Sequence, residues 1–237
     1  VKEDPTLLII SSATPEVFGF MEKERKECGE QYIDVAIAEQ TGVSTMAGAA
    51  RAGAKVIYPG AATFLQRAYD QLEQDWAMND SPAVMPVLHT GIRGLTDLTH
   101  LGFWDIPMIA SIPNIVYLAP TNAEEYKAMM DWALSKNQHK VAIRVPTYSF
   151  ELADGSVDTD YSDLNKFKVV RSGKDVAIIA AGDFFVKGRQ IADELAKKGI
   201  QATLINPRFV SGVDEELILS LEKDHKLIVT LEDGSIE

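Results

Sequence analysis

Apolar positions fall along this chain in two alternating rhythms: short β-rich runs, and longer stretches with helical spacing. TLLII at 6–10 predicts a buried strand, and the stretch from Thr14 to about Cys28 predicts a helix. YIDVAI at 32–37 predicts a second strand, with Ile33, Val35 and Ile37 as its apolar positions. A helix of small residues follows from Glu39 to Ala52, carrying Gly42, Ala47, Gly48, Ala49 and Ala50. AKVIYP predicts a third strand, and Thr63–Met78 a helix whose apolar positions are Phe64, Leu65, Ala68, Tyr69 and Leu72. AVMPVL, NIVYLAP and KVAIRVP predict three more strands. Between the last two, a helix from about Asn122 to Ser135 starts at Thr121-Asn122, with Glu124 and Glu125 in its first turn, as a helix N-terminus favours. Strands and helices alternating at this spacing imply right-handed βαβ units and an α/β fold: a doubly wound, mostly parallel sheet covered on both faces.

The rhythm breaks at 148–166, where YSFELADGSVDTDYSDLN is polar, acidic and rich in turn residues. It then restarts with FKVVRSG, DVAIIAAG, a helix from about Phe184 to Lys198, QATLINPRFV, a helix from Asp214 to about Lys223, and KLIVTLED. The expected organisation is a unit at 1–147, a linker at 148–166 and a smaller α/β unit at 167–237. That second unit stops directly after a strand with no helix to cover it, so it is expected to be truncated.

Composition narrows the function classes. With 237 residues, 46% hydrophobic and 24% charged, the chain reads as a globular protein of one large or two ordinary domains. A net charge of −12 argues against a nucleic-acid or anionic-membrane surface, which needs a basic patch. No apolar run reaches transmembrane length, and residues 1–20 lack the layout of a signal peptide. The single cysteine, Cys28, excludes a disulfide framework or a cysteine metal cluster within the chain. A cytoplasmic location is expected.

Candidate chemistry gathers at predicted strand ends. Glu39 opens a helix after a buried strand, where the positive helix end favours an anion and where open α/β sheets place ligands. A plain first-turn glutamate carries the same local signature. Phe64 and Arg67, three residues apart near a helix start, share a face and suit a planar anionic ligand, or equally a core ring beside a surface charge. HTGIRGLTDLTHLGFWD at 89–105 has neither helical nor strand period, as functional loops often do. Its His100 is a candidate proton donor or hydrogen-bond partner. His89, His139 and His225 read as ordinary, and no metal-ligand spacing stands out. Arg144 ends a strand before Pro146, where it can grip a phosphate or carboxylate or simply cap the sheet edge. There is no nucleophile elbow, P-loop or dinucleotide fingerprint. From the residues alone comes an α/β protein with a small-molecule site at strand ends, and no reaction.

Taken together, YIDVAIAEQ, TFLQRAYDQ, THLGFWD, IPNIVYLAPTN, AIRVP, DVAIIAAG, INPRFV and LIVTLEDG resemble, in order and spacing, the thiamine-diphosphate-dependent transketolase family. Within it they are most similar to the 1-deoxy-D-xylulose-5-phosphate synthases. The resemblance covers nearly the whole chain and implies a pyrimidine-binding domain followed by part of a C-terminal domain. It implies thiamine diphosphate as cofactor, with Mg2+ and the diphosphate held by a further domain or subunit, and a homodimer. Glu39 would share a proton with ring nitrogen N1′ of the aminopyrimidine, and Phe64 would stack on that ring. Arg67, His100 and Arg144 would line the substrate side, His100 beside the reacting oxygens. The implied reaction condenses an acyl unit from a 2-oxo acid such as pyruvate with glyceraldehyde 3-phosphate. A split transketolase moving two-carbon ketol units, and a degenerate paralogue, are the alternatives; retention of Glu39 and Phe64 speaks against the second. The departures lie at the substrate end: Thr96 replaces an aspartate, with Asp97 one residue later, Ala61 replaces a tyrosine, and Thr147 replaces a second arginine.

Overall fold

In the first unit, the strands are β1 (Leu7–Ser11), β2 (Tyr32–Asp34), β3 (Lys55–Ile57), β4 (Gly60–Ala61), β5 (Ala83–Thr90), β6 (Ile115–Leu118) and β7 (Lys140–Pro146). Its helices are α1 (Glu22–Cys28), α2 (Glu39–Arg51), α3 (Ala62–Leu65), α4 (Tyr69–Gln71), α5 (Asp105–Ala110) and α6 (Ala123–Lys136). This computed structural model describes residues 3–92, 97–147 and 150–235. Thr96 and the first two residues of the expected linker lie outside the described residues. All strand pairs of the first sheet are parallel, in the order β2-β1-β3-β5-β7-β6, with β4 alongside β5.

The strand period of two explains how the sheet is covered. Val84 of β5 faces one core with Val116, Leu118, Trp132, Val141 and Ile143, while its neighbour Met85 faces the other with Ile10, Val43, Met46, Leu65 and Trp76. Apolar layers on both faces are what a doubly wound parallel sheet requires. Each large aliphatic side chain buried this way contributes about 1.5–3 kcal/mol relative to exposure.

Several elements differ from expectation. Of the helix expected over 14–28 only Glu22–Cys28 forms, because Pro15 and Gly19 (φ +84°) close tight turns first. The strand expected over 32–37 ends at Asp34, whose Oδ1 accepts the Ala36 N–H at 2.8 Å and holds Ala36 in the left-handed region at φ +55°. Ile37 is consequently 74% exposed. The helix expected over 63–78 is four successive pieces ending in a π-helical stretch, Leu72–Met78. That wider winding carries Trp76 into the core while Asp75 accepts a hydrogen bond from Ser44 of α2. The α6 start is as expected: Asn122 accepts the Glu125 N–H at 2.8 Å, and Glu125 accepts the Thr121 N–H at 2.8 Å. Helix α5, which was not expected, starts where the segment without a period ends.

The second unit holds β8 (Lys168–Arg171), β9 (Asp175–Ala180), α7 (Phe185–Lys197), β10 (Thr203–Asn206), α8 (Glu215–Leu221) and β11 (His225–Leu231). Its sheet runs β11-β9-β10-β8, parallel except for β8 against β10. The segment after β10 docks on the first unit. Val210 N donates to Tyr117 O and Ala119 N to Arg208 O, both at 2.8 Å, and Phe209 is buried among Val116, Leu118 and Trp132. Among the described residues no helix is long and apolar enough to cross a membrane.

Candidate active site

The carboxyl ends of β1 and β2 are tied together, and that tie aims Glu39. Ala13 (φ +69°) donates its N–H to Ala36 O at 2.9 Å, so two left-handed alanines face each other across the strand ends. Such conformations are costly for residues with a Cβ and are kept where the surroundings enforce them. The chain then enters α2 with Glu39 as its first residue. The Glu39 side chain is 3% exposed, and Arg67 Nη1 lies 3.4 Å from its Oε2.

Tyr58, directly after β3 and fully buried, supports this turn from below. Its hydroxyl donates to Glu39 O at 3.4 Å and lies 3.0 Å from Ser12 Oγ. Burial pushes that hydroxyl up to about 12; the Ser12 hydrogen bond lowers it and the Glu39 charge raises it. A Cβ at position 42 would sit 2.7 Å from the Tyr58 ring, so α2 meets Tyr58 only through a glycine.

Phe64 and His100 form a second pair, ring centroids 5.2 Å apart at 73°. His100 Nδ1 lies 2.9 Å from Asp97 Oδ2 and 2.9 Å from Thr99 Oγ1. Asp97 also accepts from Thr99 Oγ1 and Thr99 N, and these bonds, with the His100 charge a smaller influence, hold its carboxyl below the usual range. The Asp97 carboxylate thereby orients the imidazole and leaves Nε2 as the nitrogen that pair does not use. Phe64 and Arg67 lie in one continuous helical segment, yet they turn to different partners, Phe64 to His100 and Arg67 to Glu39.

Arg144, near the end of β7, lies in a buried ion-pair cluster. Its guanidinium is buried, donating to both oxygens of Asp105 and to Asp233. Those carboxylates hold it firmly charged although burial opposes the charge.

Sequence reasoning missed Tyr58 and His89. His89, one residue before the end of β5, lies in the left-handed region (φ +57°), with Nδ1 buried and without a partner among the described residues. Burial, and secondarily the charge of His100, pushes its pKa down. The available signal was a histidine closing an apolar strand just before Gly91. Ala61 is buried in β4, and Thr147, beyond β7, has a buried hydroxyl without a partner among the described residues. The segments flanking the site carry exposed apolar side chains: Ile37 at 74%, Ile92 at 54%, Leu98 at 81% and Trp104 at 44%. Among the described residues no group of three or more His, Cys, Asp or Glu is placed to hold a metal ion.

Fold and geometry together define an α/β protein whose candidate site lies outside the carboxyl ends of its parallel strands. Residues 1–150 match the transketolase pyrimidine binding domain, and residues 165–237 the transketolase C-terminal domain. The chain belongs to the transketolase family. It is 36% identical over 240 residues to the 1-deoxy-D-xylulose-5-phosphate synthase of Halothermothrix orenii, and 37% identical over 235 residues to that of Pseudoalteromonas translucida. Each alignment covers 99% of this chain and 37% of the relative, so the chain spans little more than a third of their length. In fold it resembles a split gene transketolase, described as an inactive β4 tetramer, with TM-score 0.83, 21% identity, and coverage of 99% of this chain and 76% of that one. A Pichia stipitis transketolase in complex with sedoheptulose 7-phosphate superposes with TM-score 0.81 at 18% identity, covering 99% of this chain and 37% of that chain.

Proposed function

We infer that this chain supplies the aminopyrimidine-binding half of a thiamine-diphosphate-dependent transferase of the 1-deoxy-D-xylulose-5-phosphate synthase type. The enzyme joins the two-carbon acyl unit of pyruvate to glyceraldehyde 3-phosphate, the bond to the pyruvate carboxylate breaking and that carbon leaving as carbon dioxide. The observation that carries this reading is the Glu39 carboxylate, nearly sealed from solvent at a helix start, with Arg67 as its ion-pair partner and an aromatic ring on Arg67's own segment. A buried carboxylate is costly unless a ligand or charge uses it. The residues present fit the aminopyrimidine end of the cofactor. The diphosphate and its Mg2+ would be held by a further domain or subunit.

The cofactor, when bound, supplies a carbon acid and an electron sink. Glu39 holds a proton at ring nitrogen N1′, and Phe64 offers its face to the ring. Tyr58 keeps the Glu39 backbone in place. His100, oriented by Asp97, hydrogen-bonds the reacting oxygen, and Arg67 presents positive charge at the mouth, where it is 55% exposed. The same reading divides the chain into a pyrimidine-binding domain over 1–147, a linker over 148–166 and a C-terminal-like domain over 167–237. It places the assembly in the cytoplasm as a homodimer. The exposed apolar residues beside the site support docking of the diphosphate-binding domain there.

The test combines this chain with that domain and follows exchange of the cofactor's C2 proton by NMR in D2O. Glu39→Gln is expected to slow exchange by about a hundredfold or more while circular dichroism stays unchanged. An unaltered rate removes Glu39 from the chemistry. Pyruvate with glyceraldehyde 3-phosphate is the expected substrate pair, and turnover only with a ketose-phosphate donor points to transketolase chemistry instead.

A further inference from the structure

Asp105, Tyr117, Arg144 and Asp233 meet in one buried cluster between the two units. Arg144 donates from Nε to Asp105 Oδ2 at 2.6 Å, from Nη2 to Asp105 Oδ1 at 2.9 Å, and from Nη1 to Asp233 Oδ1 at 3.0 Å. The Tyr117 hydroxyl donates to the same Asp105. Three members belong to the first unit; Asp233 follows β11 in the second.

Asp233 also makes a contact that ion pairing does not require. A Cβ at Gly91 would lie 1.6 Å from Asp233 Oδ2, so the carboxylate rests directly on the Gly91 backbone, itself at φ +78°. Gly91 N donates to Gly102 O at 3.2 Å, and a Cβ at Gly102 would lie 2.1 Å from the His89 carbonyl oxygen. Two residues beyond Asp233, Ser235 N donates to Phe103 O at 2.9 Å. The segment bearing His100 leaves β5 through His89–Gly91 and returns through Gly102–Asp105. Both ends are therefore fastened to the stretch that carries Asp233.

We propose that Asp233 is a positioning residue: it holds Gly91 on one side and, with Ser235 on Phe103, the Gly102–Asp105 stretch on the other, and thereby sets His89 and His100 relative to Phe64. The second unit thus contributes to the substrate end of the site. This deepens, and rests on, the reading that Glu39 and His100 serve opposite ends of one site. Small displacements of substrate-end groups lower turnover steeply, by up to about a hundredfold per ångström.

Two measurements test it. In the 237-residue chain, Asp233→Asn keeps the side-chain shape and removes the charge. The Cε1–H resonances of His89 and His100 are expected to move, while those of His139 and His225 hold; unmoved His89 and His100 signals overturn the proposal. In the assembly with the diphosphate-binding domain, Asp233→Ala is expected to cut turnover about tenfold or more while C2-proton exchange stays within about twofold. Unchanged turnover, or an equal loss in both, overturns it, the latter because a merely structural role lowers both together. Should the alanine variant not fold, the asparagine variant is assayed for the same split. Absence of C2 exchange in the wild-type assembly would sink the cofactor reading instead, and the histidine spectra would still judge the clamp.

Discussion

Glu39 is 3% exposed while its partner Arg67 is 55% exposed, so one member of the pair is desolvated and the other stays wet. Such a pair holds a charge without locking it, since the exposed arginine can swing away at little cost. Glu39 was legible in sequence because the acid follows a strand and opens a small-residue helix. Tyr58 was not, because its role depends on contacts with Ser12 and Gly42, which only the folded chain brings together. His89 was also read as ordinary, and its environment makes a pH prediction. Burial lowers its pKa in the fold, so the unfolded chain takes up the proton first as pH falls. Its contribution to stability is complete above about 6.5 and is lost as pH drops through the lowered folded value. Asparagine tolerates the left-handed backbone there. Between pH 7.5 and 5 (about one unit above and 1.5 below that reference value), His89→Asn is therefore expected to lose less melting temperature than the wild type; parallel curves would refute this.

Helix α6 and the strands β5 to β7 were readable because apolar period and end signals agreed, down to the Asn122 cap. Residues 14–20 misled because apolar spacing persisted through Pro15 and Gly19, and turn chemistry overrode it. The break at 62–78 was invisible for another reason: no proline or glycine marks it inside the helical span. The winding follows Trp76 reaching the core while Asp75 meets Ser44. At α6 the cap is isolated enough to be measured. Asn122→Ala removes the acceptor of the Glu125 N–H and is expected to lower stability by about 1 kcal/mol. Urea unfolding should show a reduced midpoint with an unchanged slope.

Across the whole molecule, the buried Arg144 cluster joins two units whose sequences gave no sign of meeting. A strand-end arginine was recognisable, but its partner at Asp233 is separated from it by the linker and most of the second sheet. Arg144→Met would leave Asp105 and Asp233 buried without their cation, and is expected to destabilise the chain by about 3–5 kcal/mol in urea titration. A change near zero would show that water already reaches the cluster. The fit of Asp233 on Gly91 also bears on recombination between relatives. Chimaeras cut in the 148–166 linker would inherit the two surfaces from different parents. A side chain longer than aspartate at 233, or any side chain at 91, would jam the seam, so these positions must travel together when domains are shuffled.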